Sequence, residues 1–189
     1  MRALPCLILV AALGAVPAQA QELNRSSQKL ELLGDAPVGC VANGARASGQ
    51  RNATYQDNGP TGGVVVFPQL VEGTTALARE SAIELAVPII CNASHTVTVR
   101  SYNGGLLRQG AQGTGRGSGG FSEFQAYQVG VQWQGQTAQV GGQGGSASIA
   151  WAQPAKGDLT VAITVPQGTA PLVAGTYTDA VVVEILPAS

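Results

Sequence analysis

The chain has 189 residues, of which 44% are hydrophobic and only 11% are charged, and its formal net charge is −1. A nucleic-acid-binding surface needs clustered Lys and Arg, and 10 basic residues against 11 acidic ones argue against that class. A net charge this close to zero favours association, which is a first indication of an assembly.

The first twenty residues have the layout of a secretory signal peptide. A short positive start, Met1-Arg2, precedes an apolar run at residues 4–16, and Ala18-Gln19-Ala20 matches a small-residue cleavage site. About a dozen apolar residues are too few to cross a bilayer, so no stable membrane insertion is predicted. We expect residues 1–20 to be removed on export, which leaves one mature domain at residues 21–189.

Two cysteines remain in the mature chain, Cys40 and Cys91. In an oxidising compartment, two cysteines most simply form one disulfide. A metal site would need further ligands at short spacing, but His95 is the sole histidine of the sequence and no C-x-x-C pair occurs. The sequence therefore predicts a Cys40–Cys91 disulfide, no metal site and no cofactor.

Period-2 alternation of apolar residues predicts an all-β fold, an antiparallel sandwich of short strands rather than a barrel. A long strand is predicted at residues 81–91, where Pro88 indicates a sheet edge or a bulge. The last predicted strand, residues 176–186, carries Tyr177, Val181, Val183 and Ile185 on one face. The other predicted strands are residues 63–67, 95–100, 127–133, 147–151 and 159–165.

Catalytic and nucleotide-binding signals are weak in the segments between these strands. The Gly-rich residues 103–120 include GTGRG, but neither a helix nor a lysine follows, which argues for a surface loop rather than a phosphate-binding one. A Ser-His-Asp site would have to use His95, which we expect to be an exposed strand residue. Asp179 shares the inward register of Tyr177, where a structural hydrogen-bonding role is expected. We predict no catalytic residue and no enzymatic activity.

Several stretches together resemble one known family. The ending LTVAITVPQGTAPLVAGTYTDAVVVEI, the block VPIICNASHTVTVRSYNGGLL, the strand YQVGVQW and the position of Cys40 are similar to spore coat protein U domains. That family includes subunits of archaic (Csu-type) chaperone–usher pili, and the similarity extends over residues 38–185. Two features depart from it: an insertion around residues 42–62, and a short, polar segment before Cys40.

The resemblance implies an immunoglobulin-like sandwich that lacks its last strand, with the disulfide between its first two strands. In such pilins a periplasmic chaperone, and then the N-terminal extension of a neighbouring subunit, fills the gap, and assembly involves an outer-membrane usher. The resemblance thus implies a structural subunit of a fibre, in transit through the periplasm to the cell surface or the extracellular medium. The groove for the incoming strand would involve Tyr177, Val181, Val183 and Ile185.

The candidate donor strand is the mature N terminus, residues 21–33. Leu30 and Leu32 are spaced to fill two pockets from one face of a strand, with Lys29 and Glu31 turned to solvent. The same segment could instead be the first strand of its own sandwich.

The alternative function is a self-complete sandwich that acts as a binding module or tip adhesin. Its long loops, residues 42–62 and 103–120, would then contact a glycan or another surface.

Overall fold

The computed structural model describes residues 31–111, 119–141 and 144–188, so the predicted signal peptide and Leu30 lie outside the described residues. Two compact units divide the chain after Asp35, and residues 31–35 of the first have no regular secondary structure. The described part of the second unit is all-β, with a single 3-10 turn at Gly59–Thr61. No helix within these residues is long and apolar enough to span a membrane.

Fourteen strands are assigned in the described residues. They are β1 (Cys40–Ala42), β2 (Arg46–Arg51), β3 (Thr54–Asp57), β4 (Gly63–Val66), β5 (Ser81–Cys91), β6 (His95–Ser101), β7 (Gly105–Arg108), β8 (Phe124–Ala126), β9 (Gln128–Trp133), β10 (Gln136–Gly141), β11 (Gly145–Trp151), β12 (Ala155–Val165), β13 (Tyr177–Thr178) and β14 (Val181–Pro187).

The strands form two main sheets that share one apolar core, as a β-sandwich requires. The larger sheet has the order β1-β5-β12-β9-β10, with β2 also paired to β5, and the smaller has the order β11-β6-β14. A third sheet, β13-β7-β8, and the separate hairpin β3–β4 complete the described strands. All strand pairs are antiparallel, so the predicted fold class is confirmed.

The hydrophobic core is built from the apolar residues that alternate with polar ones along the predicted strands. Along β9 and β12 every second residue is buried, and the fully enclosed side chains include Val129, Trp133, Leu159 and Val165. These side chains pack against Val97 and its neighbours on β6 of the opposite sheet. The strands predicted at residues 81–91, 127–133 and 159–165 thus correspond to β5, β9 and β12, each of which buries alternate residues in the core.

Pro88 lies in an interior strand, because β5 pairs with β12 along one edge and with β1 and β2 along the other. Ala42 pairs with Ile89 whereas Arg46 pairs with Ala86, so the β1–β2 side carries one extra residue. Pro88 lies opposite this bulge, where its missing N–H breaks no regular ladder. Of the two alternatives for Pro88, the bulge is right and the sheet edge is wrong.

Cys40 on β1 and Cys91 on β5 are cross-strand neighbours and are joined by a disulfide, which confirms the predicted pairing. The bond spans 51 residues of sequence. In the chain-entropy account, closing a loop of that length stabilises the fold by about 4 kcal/mol.

We expect neither Cys40 nor Cys91 to carry a free thiol in the folded protein. The measurement is intact-mass analysis after treatment with iodoacetamide, with and without prior reduction under denaturing conditions. Alkylation should occur only after reduction, at Cys40 and Cys91. Alkylation of both cysteines in the native, unreduced protein would contradict the disulfide.

Three predicted segments differ from the structure. The single strand predicted at residues 176–186 is two strands, because β13 pairs with β7 and β14 pairs with β6 in a different sheet. The predicted loop at residues 42–62 instead contains β2 and β3, and the predicted loop at residues 103–120 contains β7. Residues 112–118 of the latter lie outside the described residues.

Candidate functional site

An open cleft of about 580 Å³ lies beside β14, between the two main sheets. Its floor includes Leu85 and Ile163 from the inner face of the larger sheet. Three of the four residues predicted for a groove, Val181, Val183 and Ile185, line this cleft from β14. All three are half-buried, in contrast to the fully enclosed core of β9 and β12.

Tyr177, the fourth residue predicted for the groove, is not among the residues that line the cleft. It lies on β13, where its hydroxyl is 2.7 Å from the carbonyl oxygen of Val173 and 3.1 Å from that of Ser122. Burial raises the pKa of this hydroxyl, which therefore stays protonated and can donate. These two hydrogen bonds link Tyr177 to the loops that contain Ser122 and Val173. Tyr177 does not reach the cleft because the chain passes from one sheet to another between Tyr177 and Val181.

One edge of β14 has no strand partner among the described residues, because β14 is the last strand of its sheet. Two bonds define how the other edge pairs with β6: the Ala180 carbonyl accepts from the N–H of Tyr102, and the Ala188 N–H donates to the carbonyl of Ser94. In an antiparallel pair the bonded positions alternate. The even-numbered residues of this segment therefore direct their backbone groups towards β6.

The odd-numbered residues of β14 consequently direct their N–H and C=O groups away from β6. Val181, Val183 and Ile185 thus present both unpaired backbone groups at the open edge and apolar side chains in the cleft. Pro187 has no N–H, so the row of donors ends at Ile185. This edge can extend the sheet by one strand.

Asp179 organises the turn that leads into β14. Its Oδ2 accepts hydrogen bonds from Ser101 Oγ at 2.7 Å and from the Tyr127 hydroxyl at 2.6 Å. Its Oδ1 accepts from the backbone N–H groups of Asn103 at 2.9 Å and Ala180 at 2.7 Å. Burial, with the bond to Asp179 as the next cause, raises the pKa of Tyr127, so that hydroxyl remains a donor. The structural role predicted for Asp179 matches these four bonds.

The described lining of the cleft contains one charged residue, Asp179, and no histidine, cysteine, lysine or arginine. Because the carboxylate already accepts four hydrogen bonds, it is not a free base aimed at a substrate. The described lining is therefore mainly apolar, which suits contact with an apolar, extended partner.

The hairpin β3–β4 also borders the cleft, with Tyr55, Val65 and the following Phe67 among the lining residues. The sequence predicts a strand at residues 63–67, which matches β4, but it misses β3 and the hairpin by assigning a loop to residues 42–62. A usable signal was present, since Asn58-Gly59 lies between the alternating segment TYQ and the apolar run VVV. An Asn-Gly pair between such segments is a strong indication of a hairpin.

His95 is buried, with 1% of its surface exposed, so the prediction of an exposed strand histidine is wrong. It shares the inward face of β6 and accepts a hydrogen bond at Nε2 from Trp133 Nε1 at 2.9 Å. Its Nδ1 donates to the carbonyl of Ala93 at 2.9 Å, which requires the neutral tautomer protonated at Nδ1.

This histidine lies beside the disulfide: a ring nitrogen of His95 and the Sγ atoms of Cys40 and Cys91 all lie within 4.8 Å of one another. Such a set could ligate a thiophilic metal only after reduction. In the oxidised protein the sulfurs are bonded to each other and both ring nitrogens have partners. The cluster is therefore part of the folded core.

Of the candidate donor segment, Leu32 and Leu33 are described and both are exposed, by 88% and 95%. Residues 31–39 carry no assigned strand.

No known protein family matches this chain. A search of curated proteins likewise finds no similar sequence. The geometry of the cleft is therefore the main guide to function.

Proposed function

We propose that this chain is a non-enzymatic structural subunit of a secreted cell-surface fibre, in which an extended segment of a neighbouring copy fills the cleft by β-strand addition. The observation that carries the proposal is the unpaired edge of β14. There, Val181, Val183 and Ile185 offer backbone hydrogen bonds and apolar contacts to one incoming strand.

The physical chemistry of an open edge supports this reading. An apolar strand with unpaired N–H and C=O groups is a template for pairing with another chain, and natural proteins usually protect such edges with charges, prolines or covering loops. Among the described residues of β14, Pro187 at its end is one such device, while the charge of Glu184 is paired with Arg100 on β6. A strand edge with so little protection against pairing is expected where pairing between copies is the function.

The proposed occupant is residues 21–33 of a second copy, with Leu30 and Leu32 in the cleft. Each buried leucine would contribute roughly 1.5–3 kcal/mol, and the backbone ladder adds to this. The exposure of Leu32 in the isolated chain is consistent with a segment available to another molecule. Pro37 and Gly39 are hydrogen-bonded to Asn92, so the connection to the segment is residues 34–36, which can span up to about 10 Å when extended.

The resemblance to spore coat protein U domains supports the same function. It adds the partners proposed for this chain: a periplasmic chaperone that covers the cleft before assembly, an outer-membrane usher, and related pilus subunits. In this proposal the protein passes through the periplasm and ends at the cell surface or in the extracellular medium.

The test is a deletion of residues 21–33 from the mature protein. We expect the mature protein to form a ladder of oligomers in size-exclusion chromatography, because each copy carries both a cleft and a donor. The truncated protein should remain monomeric and should bind a fluorescent peptide of residues 21–33.

A matched pair of point variants sharpens this test in the full mature chain. The double variant Leu30→Asp, Leu32→Asp should abolish oligomers, whereas Lys29→Ser, on the other face of the predicted strand, should preserve them. A stable monomer for the unmodified mature protein would contradict the fibre and favour the self-complete binding module. Unfolding of the truncated protein would instead place the segment in its own core.

A further inference from the structure

We infer that the hairpin β3–β4 is the second half of the docking site, so that a strand entering the cleft pairs with β4 as well as with β14. The inference rests on the proposed function and deepens it. It assigns a role in partner binding to the segment that departs from the family pattern, the insertion around residues 42–62, and to the strand that follows it.

The position of the hairpin places β4 rather than β3 at the cleft. β3 follows β2 after two residues, and β2 is an edge strand on β5. The cleft is lined by Gly63, Val64 and Val65 of β4, but by Tyr55 alone from β3. Both β4 and β14 therefore border the cleft, together with Ala42, Asn43 and Ala45 between the end of β1 and the start of β2.

The backbone of β4 has an open edge of the same kind as β14. The N–H of Asn58 donates to the carbonyl of Gly62 at 2.9 Å, and the register continues to the pair Thr54 and Val66. Even-numbered residues of β4 are therefore bonded to β3, and the odd-numbered ones direct their backbone groups to the other edge. Those groups belong to Gly63 and Val65, and both residues line the cleft.

Side chains of the hairpin agree with this orientation. Val65 is half-buried against the core, whereas Val64 and Val66 on the other face are exposed. Tyr55 lies across Gly63, where any Cβ would come within 2.4 Å of the ring. The apolar face of the hairpin is thus turned inward, in line with the inward face of β14.

The base of the hairpin is fastened to the domain, so it can act as a fixed wall. The Asn52 amide donates to the carbonyl of Gln69 at 2.8 Å and to Ser81 Oγ at 2.7 Å, which joins the two ends of the hairpin to the start of β5.

Near the turn, the carboxylate of Asp57 lies against Gly44, where an added Cβ would be only 2.6 Å from Oδ2. The same carboxylate accepts the N–H of Gly59 at 3.1 Å. The hairpin is therefore held at both ends, and β4 is presented to the cleft in a defined orientation.

A cleft in which the bound strand pairs with both β14 and β4 accepts fewer sequences than one in which the strand pairs with β14 alone. The bound strand needs backbone N–H groups along both of its edges, which excludes proline from its centre. It also needs apolar side chains at every second position, on the face turned to the core. Residues 21–33 of a second copy contain no proline and carry Leu30 and Leu32 at that spacing, whereas Pro37 lies outside this segment. We therefore keep this segment as the single proposed occupant.

The decisive measurement is residue-resolved amide hydrogen exchange on the full mature chain. The variant Leu30→Asp, Leu32→Asp prevents self-assembly, and a synthetic peptide of residues 21–33 is added in excess. We expect the amides of Val65, Val181, Val183 and Ile185 to become protected by about tenfold or more, because each gains a partner. The amide of Val64, already bonded to β3, should not change.

The two proposals fail in different ways in this experiment. Protection at Val181, Val183 and Ile185 without protection at Val65 would overturn the role of the hairpin and leave the fibre proposal standing. Absence of binding and of protection at both strands would overturn both proposals.

A second pair of variants tests the same wall through its side chains. Val65→Asp should weaken binding of the peptide by about tenfold or more, because it puts a charge in the apolar cleft, whereas Val66→Asp, at an exposed residue of β4 that does not line the cleft, should bind as the unmodified protein does. Thermal melts confirm that both variants are folded. Equal affinity of the two variants would contradict the hairpin inference.

Discussion

Replacing Val131 by aspartate should unfold the β domain. Val131 is 2% exposed on β9, between Val161 of β12 and Ala138 of β10, so a carboxylate there would have no partner and no water. Leaving such a charge unpaired costs several kcal/mol, which is a large part of the about 5–15 kcal/mol that stabilises a typical domain. Urea denaturation followed by circular dichroism measures the loss.

The neighbouring residue Gln132 provides the matched control. It is exposed on the opposite face of β9, paired with Thr160 and Thr137. Gln132→Asp should change the free energy of unfolding by less than about 0.5–1 kcal/mol. Equal sensitivity at the two positions would refute the register of β9 and, with it, the assignment of the core.

Replacing Asp179 by alanine should lower the free energy of unfolding by about 3 kcal/mol, because the hydroxyls of Ser101 and Tyr127 and two backbone N–H groups lose their acceptor. For a domain of this size, that loss corresponds to roughly 6–12 °C in melting temperature. Differential scanning calorimetry measures it. The start of β14 should also loosen, because Asp179 holds the N–H of Ala180.

Asp158 is the control for this second prediction. Its contact with Arg46, at 3.5 Å, is a surface ion pair with both side chains more than half exposed. Such pairs contribute about 0–1 kcal/mol, so Asp158→Ala should melt close to the unmodified protein. A result in which Asp179→Ala is as mild as Asp158→Ala would show that the hydrogen-bond cluster does not position β14.

Asp179 also connects stability to the proposed binding function. The residue lies where the chain leaves β13 and enters β14, and its bonds to Ser101 and Asn103 fix that turn against the end of β6. These bonds therefore fix the start of β14, and with it the open edge that borders the cleft. A variant that folds but loses this anchor should bind the peptide of residues 21–33 less tightly, because the edge must then be ordered on binding.

Strands with strict alternation were predictable because each presents one face to the core. Residues 81–91 match β5 at both ends, and the buried positions of β9 and β12 are those that the period of two selects. The disulfide followed from cysteine count and compartment alone. Those inferences use only local periodicity and composition, and they hold because burial is decided residue by residue along a strand.

Elements whose role depends on distant partners were not predictable in the same way. Residues 176–186 read as one apolar strand, but the Asp179 cluster divides them between two sheets. The sequence assigns His95 to the outward register of its strand, whereas in the fold it points inward and is satisfied by Trp133 and the carbonyl of Ala93. Of the hairpin, the sequence predicts β4 as a strand at residues 63–67 but assigns β3 to a loop, because Tyr55 is its one large apolar residue.

The sequence by itself determined the all-β class, the inward faces of the long strands, the disulfide and the apolar character of Val181, Val183 and Ile185. It could not determine that these three residues have an open backbone edge, since that depends on which strands flank β14. Only the tertiary structure decided that β6 takes one edge of β14, that residues of β14 and β4 both line the cleft, and that Tyr177 does not line it. The reason is physical: side-chain burial leaves a local period in the sequence, whereas strand pairing joins residues far apart through backbone groups that every sequence shares.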